Sequence, residues 1–362
     1  MKKIINLFNL QMFADAGTLV NATGNYVNAY DGSTQKFEDA NTLDGQLKTF
    51  YDTELLENAR VELFYAQFAK KQPLPAGRGK TVEWRKWNTF DKASQLQEGV
   101  IPTGQKFGMS SKTGSINQYG TYASISDQLE LHAYDDIILG ATEEMGASAA
   151  ETQETLIRDG LLVNTNVLYC DNITLATGAV AGTPTAPAEM EASATVMSLL
   201  TPDMVAKAVT KLKKDRVPTI GGKYYAVIHP SVAYDLRKSK EWVEAHKYAA
   251  PEELFNGEIG ELHGCRFIEN VFAPILGEDY KNKAGSVTYA TYFLGKDAFG
   301  IIDPEGGALE MIVKDKSQVG GPLNQFSTVG YKFETNGVTI LYPERVLRVM
   351  SCSSFSGTDA IN

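Results

Sequence analysis

Side chains that could bind a metal or carry out catalysis are few in this sequence and lie far apart. The three cysteines, Cys170, Cys265 and Cys352, are separated by about ninety residues, whereas zinc sites and disulfide frameworks need short, repeated spacings. The four histidines, at positions 132, 229, 246 and 263, are equally scattered. We therefore predict no metal site and no cofactor, and we interpret the cysteines as isolated thiols of a reducing compartment.

The segment Gly77-Arg78-Gly79-Lys80-Thr81 ends like a phosphate-binding loop, but Leu74 stands where that motif requires glycine. A phosphate-binding loop also follows a strand and opens a helix, so that backbone N–H groups converge on the phosphate. Here a predicted helix precedes the segment and a predicted strand follows it. We interpret the segment as a flexible hinge with a basic flank.

Two further patterns resemble catalytic groups only superficially. His229-Pro230-Ser231 places a base near a hydroxyl, but Pro230 ends a strand and Ser231 is a typical helix N-cap, which predicts a structural role. The adjacent acids Glu143-Glu144 and Glu252-Glu253 project in different directions from a helix and are typical of a solvated face. We predict no catalytic residue and no enzyme activity.

The tetrad Trp84-Arg85-Lys86-Trp87 interleaves aromatic rings with cations. Such a pattern occurs in proteins that stack and neutralise single-stranded nucleic acid. Trp and Arg are equally the preferred anchors of protein–protein interfaces, and we favour that interpretation because the chain is acidic.

Composition supports a folded, acidic protein without dedicated nucleic-acid recognition. The 362 residues include 34 Lys and Arg against 44 Asp and Glu, a net charge of −10, and 43% of them are hydrophobic. That length allows about two domains. A chain of this charge has no long-range attraction for DNA, RNA or an anionic membrane.

The N-terminus starts like a signal peptide, with Met1-Lys2-Lys3 before an apolar stretch. Asn6, Asn9 and Gln11 interrupt that stretch, and nothing later reaches the roughly 18 apolar residues of a membrane span. We interpret the segment as an N-terminal arm, extended through residues 14–45, and expect no membrane partner.

Elements that would position these residues follow from periodicity. A helix is predicted over Leu47–Lys70, and a long β-hairpin with one strand in Lys80–Phe90, the other in Ser115–Ser126 and an irregular tip between them. Because a two-stranded hairpin is marginal in water, it needs another surface to lie on. A long helix is predicted over residues 134–165, beginning near Asp135 and Asp136.

A mixed α/β region is predicted next, and a β-rich tail follows it. The predicted elements are a helix capped by Thr201-Pro202, a strand over Lys223–Ile228, a helix over Ser231–Tyr248, strands over Cys265–Glu269 and Val287–Leu294, and tail strands over Leu309–Val313, Ser327–Thr335, Val338–Leu341 and Val346–Ser351. Asn336-Gly337 is typical of a two-residue hairpin turn.

Several stretches in this order resemble one family. They are Lys48–Arg60 (KTFYDTELLENAR), Gly77–Trp87 (GRGKTVEWRKW), Leu96–Val100 (LQEGV), Pro102–Gln105 (PTGQ), Gln118-Tyr119-Gly120 before Ser126-Asp127, and the opening Leu10–Ala14 (LQMFA). The chain resembles the major capsid proteins of tailed bacteriophages, in the family typified by podophage N-four. The resemblance covers about residues 45–350 and implies an α+β, Hong-Kong-97-type capsid fold.

The resemblance implies the following domain plan: an N-terminal arm (1–45), a helical segment of the peripheral domain (46–77), an E-loop (78–127), the spine helix and peripheral domain (128–199), an axial domain (200–307), and the peripheral β-sheet with the C-terminus (308–362). It further implies that the E-loop contacts a neighbouring subunit, and the contact residues that we expect are Glu83, Trp84, Arg85, Lys86, Trp87, Phe107, Tyr119 and Tyr122.

The implied function is self-assembly into hexamers and pentamers of an icosahedral shell around double-stranded DNA, without sequence-specific binding. Portal, scaffolding and decoration proteins are further expected partners, with assembly in the bacterial cytoplasm and a final place in the virion. Three alternatives stay open at this point: a nanocompartment of the same fold around protein cargo, an enzyme with a dispersed acidic site, and a secreted adhesin.

Overall fold

The computed structural model describes residues 18–19, 64–88, 90–93, 95, 98–99, 101, 104–133, 136–246, 258–307, 309–319 and 323–362. Most of the predicted N-terminal arm, and the predicted helix up to residue 63, lie outside these residues. The chain divides into two compact units. The first contains the described residues of Met1–Glu62, Asn117–Thr152 and Gly306–Thr335; the second contains those of Leu63–Ile116, Gln153–Glu305 and Asn336–Asn362.

The described chain contains runs of strands interspersed with helices, which confirms the prediction of an α+β protein. The strands are β1 Thr18–Leu19, β2 Lys70–Leu74, β3 Thr81–Trp87, β4 Met109–Ser115, β5 Asn117–Ser126, β6 Val167–Tyr169, β7 Asn172–Thr174, β8 Val180–Gly182, β9 Val196–Met197, β10 Tyr224–Ile228, β11 Glu258–Leu262, β12 Cys265–Glu269, β13 Ile275–Leu276, β14 Thr288–Leu294, β15 Phe299–Pro304, β16 Glu310–Lys314, β17 Phe326–Thr335, β18 Thr339–Ile340 and β19 Val346–Ser351. The helices are α1 Asp127–His132, α2 Ile137–Leu162, α3 Pro202–Lys214, α4 Pro230–Lys238, α5 Lys240–His246 and α6 Lys316–Val319.

The first unit is built on a four-stranded sheet in the order β1-β5-β17-β16. All ten residues of β17 pair antiparallel with β5. Alternate residues face a small core, in which Ile125, Leu129, Ile137 and Val329 are buried together. The hydroxyl of Tyr331 on the same face lies 3.1 Å from the Thr152 hydroxyl of α2. The first turns of the long helix are therefore fixed to the inner face of this sheet.

The second unit contains a larger sheet in the order β11-β12-β10-β14-β19-β6, with β13 beside β14. Its central strands β10, β14 and β19 are buried almost throughout. One hydrophobic cluster joins one face of this sheet to α3 and α4, and a second joins the other face to Ile157 and Leu161 of α2. Strands covered on both faces have nearly continuous apolar sequences, which is why these three were found in the sequence.

The ends of the long helix are capped by side chains distant from one another in sequence. At the start, Asp136 Oδ1 accepts hydrogen bonds from the N–H groups of Ile138 and Leu139, both at 3.1 Å. At the end, the buried guanidinium of Arg348 donates to the carbonyl oxygen of Leu162 at 2.8 Å. An anion at the N-terminus and a cation at the C-terminus both interact favourably with the helix dipole. The predicted helix over residues 134–165 is confirmed at Ile137–Leu162.

The predicted hairpin partner is wrong. The segment Thr81–Trp87 does form a strand, but it pairs with Met109–Ser115 within the second unit. Asn117–Ser126 belongs to the first unit, where it pairs with β17. The polar sequence MSSKTGS of β4 has no apolar alternation, so periodicity gave no signal for it. Its pairing depends on the Trp84 contact described below.

Three further predictions need correction. The last part of the helix predicted over Leu47–Lys70 is wrong, because a 3-10 turn at Tyr65–Phe68 leads into strand β2. The Asn336-Gly337 turn joins no hairpin, because β17 and β18 belong to different sheets. The helix predicted over Ser231–Tyr248 is two helices, and its cap is His229, whose Nδ1 accepts from the Ser231 N–H at 3.2 Å.

Two glycines in α2 lead to opposite predictions. A methyl group at Gly146 would meet no atom within 4 Å, whereas one at Gly160 would lie 2.8 Å from Val338 Cβ. Gly146→Ala should raise the free energy of unfolding by about 0.5–1 kcal/mol through lower entropy of the unfolded chain. Gly160→Ala should lower it by about 1–3 kcal/mol through overpacking. Urea unfolding of the unassembled subunit measures both, and a stabilising Gly160→Ala would contradict this packing.

A buried carboxylate fastens the second unit. Glu154 is fully buried, and its Oε1 accepts hydrogen bonds from the N–H groups of Phe64 (3.0 Å) and Tyr65 (3.2 Å) and from Asn270 Nδ2 (2.9 Å). Its Oε2 is buried with no hydrogen-bond partner in the described part of the chain. Burial raises the pKa of Glu154, and the three donors partly oppose that rise.

This arrangement predicts a pH dependence. Because the folded chain holds the Glu154 proton more tightly than the unfolded chain, wild-type stability should fall, relative to Glu154→Gln, as the pH rises from about 4.5 through the folded pKa. Glu154→Ala leaves three donors without an acceptor and should cost about 3 kcal/mol or more. Urea unfolding of the subunit between pH 4 and 8, roughly the range that brackets such a shift, measures both. A wild-type advantage over Glu154→Gln that grows with pH would refute the assignment.

Candidate assembly surface

The predicted contact residues divide between two parts of the molecule. Six lie on or beside the hairpin β3–β4 of the second unit, while Tyr119 and Tyr122 lie on β5 of the first. The hairpin is regular from Thr81 opposite Ser115 to Trp87 opposite Met109. One further hydrogen bond follows at its outer end, from the Asn88 N–H to the Gly108 carbonyl (2.9 Å).

Trp84 fastens the hairpin to its own subunit. The indole lies against two glycines, because a Cβ at Gly114 or at Gly300 would each come within 2.9 Å of the ring. Its Nε1 is buried and has no hydrogen-bond partner among the described residues. Only glycine leaves room for the ring at these two positions. Trp84 therefore differs from the other predicted contact residues, since its ring is already packed within the chain.

The charged residues of β3 make exposed contacts within the second unit. Lys86 Nζ lies 4.5 Å from the ring centre of Tyr342 and 3.7 Å from Glu344 Oε1. Arg85 pairs with Glu83 at 3.2 Å. Hydrogen bonds from Ser111 and then Arg85 lower the pKa of Glu83. Exposed pairs of this kind add little stability, so these side chains remain able to exchange partners.

An aromatic stack covers the outer end of the hairpin. The rings of Trp87 and Phe107 lie 4.2 Å apart and nearly parallel, and Phe90 stacks on Phe107 at 5.3 Å. All three side chains are more than half exposed, at 60%, 58% and 55%. Phe90 was not among the predicted contact residues, although an aromatic residue three positions after Trp87 in an otherwise polar segment could have indicated it. We call Trp87, Phe90 and Phe107 the aromatic stack.

The segment beside the stack is held by a reciprocal pair of hydrogen bonds. The Asp91 N–H donates to Gln105 Oε1 at 3.0 Å, and Gln105 Nε2 donates to the Asp91 carbonyl at 3.1 Å. This pair keeps the two sides of the hairpin together beyond the last strand residues. The stack is thus presented on an ordered base.

The two tyrosines of β5 point to opposite faces of their sheet. Tyr119 is half-buried and stacks on Phe333 at 5.8 Å. Tyr122 is 73% exposed on the other face, beside an open groove of about 540 Å³. Ile312, Val319, Gly330 and Lys314 also line this groove, which we call the sheet groove. No local sequence pattern predicts this groove, because its walls come from segments about two hundred residues apart.

The described part of the chain offers neither a metal-ligand cluster nor an activated thiol. No group of three or more His, Cys, Asp or Glu residues there could hold a metal ion. The three thiols are buried, and burial raises the pKa of each, that of Cys352 to about 11, so they stay protonated and inert at neutral pH. Among the described helices, none is long and apolar enough to cross a membrane.

Comparisons with known proteins agree on one family. The model of a family described as phage capsid protein matches residues 110–339. No curated protein matches the chain. The fold is similar to the capsid of cyanophage Pam1 (TM-score 0.66, 12% identity, 89% of this chain and 100% of that one). It is also similar to the capsids of Helicobacter pylori bacteriophage KHP30 (0.62, 13%, 88% and 99%) and Ralstonia phage GP4 (0.60, 13%, 87% and 98%).

The family match spans more than half of the chain, and the structural similarity extends over most of it. A capsid protein has a structural role and belongs to the virion, which agrees with the exposed aromatic surface described above. The chain belongs to the phage capsid protein family and has the Hong-Kong-97-type fold of tailed-bacteriophage major capsid proteins.

Proposed function

We propose that the chain assembles into hexamers and pentamers of an icosahedral shell around double-stranded DNA, and that the hairpin is its E-loop. The observation that carries this proposal is the aromatic stack, which is ordered but more than half exposed. Trp and Phe are large apolar side chains whose burial favours association. Glu83, Arg85 and Lys86 lie beside the stack, where they would form the polar rim of a contact.

The strength of such a contact comes from repetition. Burying the exposed half of an aromatic side chain removes roughly 100 Å² from water, or about 2.5 kcal/mol at 25 cal/mol per Å². One stack of three rings would then contribute about 7.5 kcal/mol before the entropy cost of association. That is too little for a tight dimer but sufficient in a closed shell, where symmetry repeats it at every subunit.

The remaining parts of the proposal follow the domain plan. The spine helix is α2, the axial domain lies in residues 200–307, and the peripheral sheet is completed by residues 308–362. The net charge of −10 disfavours tight binding of packaged phosphates, so the DNA would be enclosed without sequence-specific contacts. Portal, scaffolding and decoration proteins are separate partners, and assembly takes place in the host cytoplasm.

Imaging of the purified chain tests the hairpin's role. Trp87→Ala/Phe107→Ala should raise the concentration needed for particle formation by at least about tenfold, because roughly 3 kcal/mol of apolar burial is lost at each contact. The folded subunit should be almost unaffected, since both rings are exposed. Negative-stain particle counts against protein concentration measure the first effect, and urea unfolding of the unassembled subunit measures the second.

Two controls make this experiment specific. Tyr234→Ala/Phe355→Ala removes another exposed aromatic pair, whose rings lie 5.5 Å apart, and should shift assembly much less. Trp84→Ala should destabilise the subunit itself by about 2 kcal/mol, because its ring packs within the chain. Normal shells from Trp87→Ala/Phe107→Ala would show that the hairpin is not the assembly contact.

A further inference from the structure

The sheet groove is a permanent depression in the outer face of the four-stranded sheet. Gly330 lies opposite Tyr122, and Gly120 lies opposite Lys332. A Cβ at Gly330 would lie 2.7 Å from the Thr121 carbonyl oxygen, and one at Gly120 would lie 2.5 Å from the Tyr331 carbonyl oxygen. Backbone packing therefore excludes side chains at both positions. The groove is built into the sheet and does not depend on a side-chain rotamer.

The groove has a mixed lining, in which apolar side chains lie beside threonine, glutamine and two lysines. Ile312 and Val319 are half-buried, and the ring of Tyr122 is exposed beside them. Lys332 is paired with Glu310 at 2.9 Å. Lys314 is exposed and makes no ion pair with a described residue. An aromatic ring could pack against the apolar side chains of the groove while its face attracts the exposed Lys314 ammonium group.

We propose that the sheet groove of one subunit receives the aromatic stack of a second copy of this chain. This inference rests on the proposed function and names the partner surface of the hairpin. A groove of about 540 Å³ is within the range of pockets that hold compact apolar groups. The Lys314 ammonium then faces the rings and the carboxylate of Asp91, which follows Phe90 directly. Lys86 on Tyr342 is the same kind of contact within one subunit.

The geometry of such a contact accounts for closed rings of subunits. The stack and the groove are different surfaces, so the contact is heterologous, and each subunit gives its stack to one neighbour and receives that of another. Heterologous contacts generate rings when the rotation closes, whereas a contact between identical surfaces gives dimers. A second copy is therefore the occupant that fits both the chemistry and the assembly of a capsid protein.

Cysteine cross-linking tests the proposal on assembled particles. Phe107→Cys/Tyr122→Cys places one thiol in the stack and one at the groove, and the native cysteines are buried. Mild oxidation of particles should give a ladder of covalent oligomers on a denaturing gel, and dissociated subunits should give none. The matched control, Phe107→Cys/Tyr234→Cys, places the second thiol on α4 and should give no ladder. Particles that show no ladder, or an equal ladder in the control, would overturn the proposal.

A charge reversal gives a second, independent measurement. Lys314→Glu should raise the concentration needed for assembly at least about fivefold, which corresponds to roughly 1 kcal/mol at each contact. Lys213→Glu makes the same charge change at an exposed position on α3 and should raise it less than twofold. Equal effects of the two variants would overturn the proposal, and this comparison decides alone if the double cysteine variant forms no particles.

The failures of the two proposals are distinguishable. Shells that form normally from Trp87→Ala/Phe107→Ala contradict the proposed role of the hairpin. Shells that need the stack, but show neither the ladder nor the Lys314 effect, contradict only the assignment of the groove.

Discussion

The hairpin depends on one packing contact, the indole of Trp84 lying against Gly114 and Gly300. A two-stranded hairpin buries too little surface to persist alone in water. Here one face is fixed by a large ring that fits only because both opposing positions lack a side chain. The aromatic stack at the outer end of the hairpin is left more than half exposed. An ordered, exposed apolar surface lowers the conformational entropy that a subunit loses on association.

The long helix gives the same kind of order to the body of the chain. Its first turns contribute to the first unit and its last turns to the second. Asp136 and Arg348 satisfy its two ends, and Glu154 ties two further segments to its side. These contacts all lie within one subunit, so they can form before any neighbour is present. Assembly then adds contacts at surfaces that the folded subunit already presents.

Much of the fold could be predicted where a buried element has a recognisably apolar sequence. β10, β12, β14 and β19 are short apolar runs, and each was found within a residue of its bounds. Strand pairing was not predictable in the same way, because the polar sequence of β4 has no apolar alternation that would mark it as a strand. The hairpin turn predicted at Asn336-Gly337 was wrong. The Asn336 Oδ1 instead accepts a hydrogen bond from the Ile302 N–H at 2.8 Å.

The candidate site was predictable only in part. The Trp84–Trp87 tetrad drew attention to strand β3, whose alternation places the two tryptophans on opposite faces, but the sequence could not show which of them faces inward. The groove combines residues from β5, β16 and β17, which no local pattern connects. The landmarks of the family resemblance indicated the function, and the physical basis that we propose for it, an anchored hairpin with an exposed outer end, comes from the structure.

A cryo-EM reconstruction of particles assembled from the purified chain tests the central claim most directly. We expect a closed shell in which the rings of Trp87 and Phe107 are buried against a second copy of the chain. Trp84 should keep its position between Gly114 and Gly300. A shell in which the aromatic stack is solvent-exposed, or is packed against its own subunit, would contradict it.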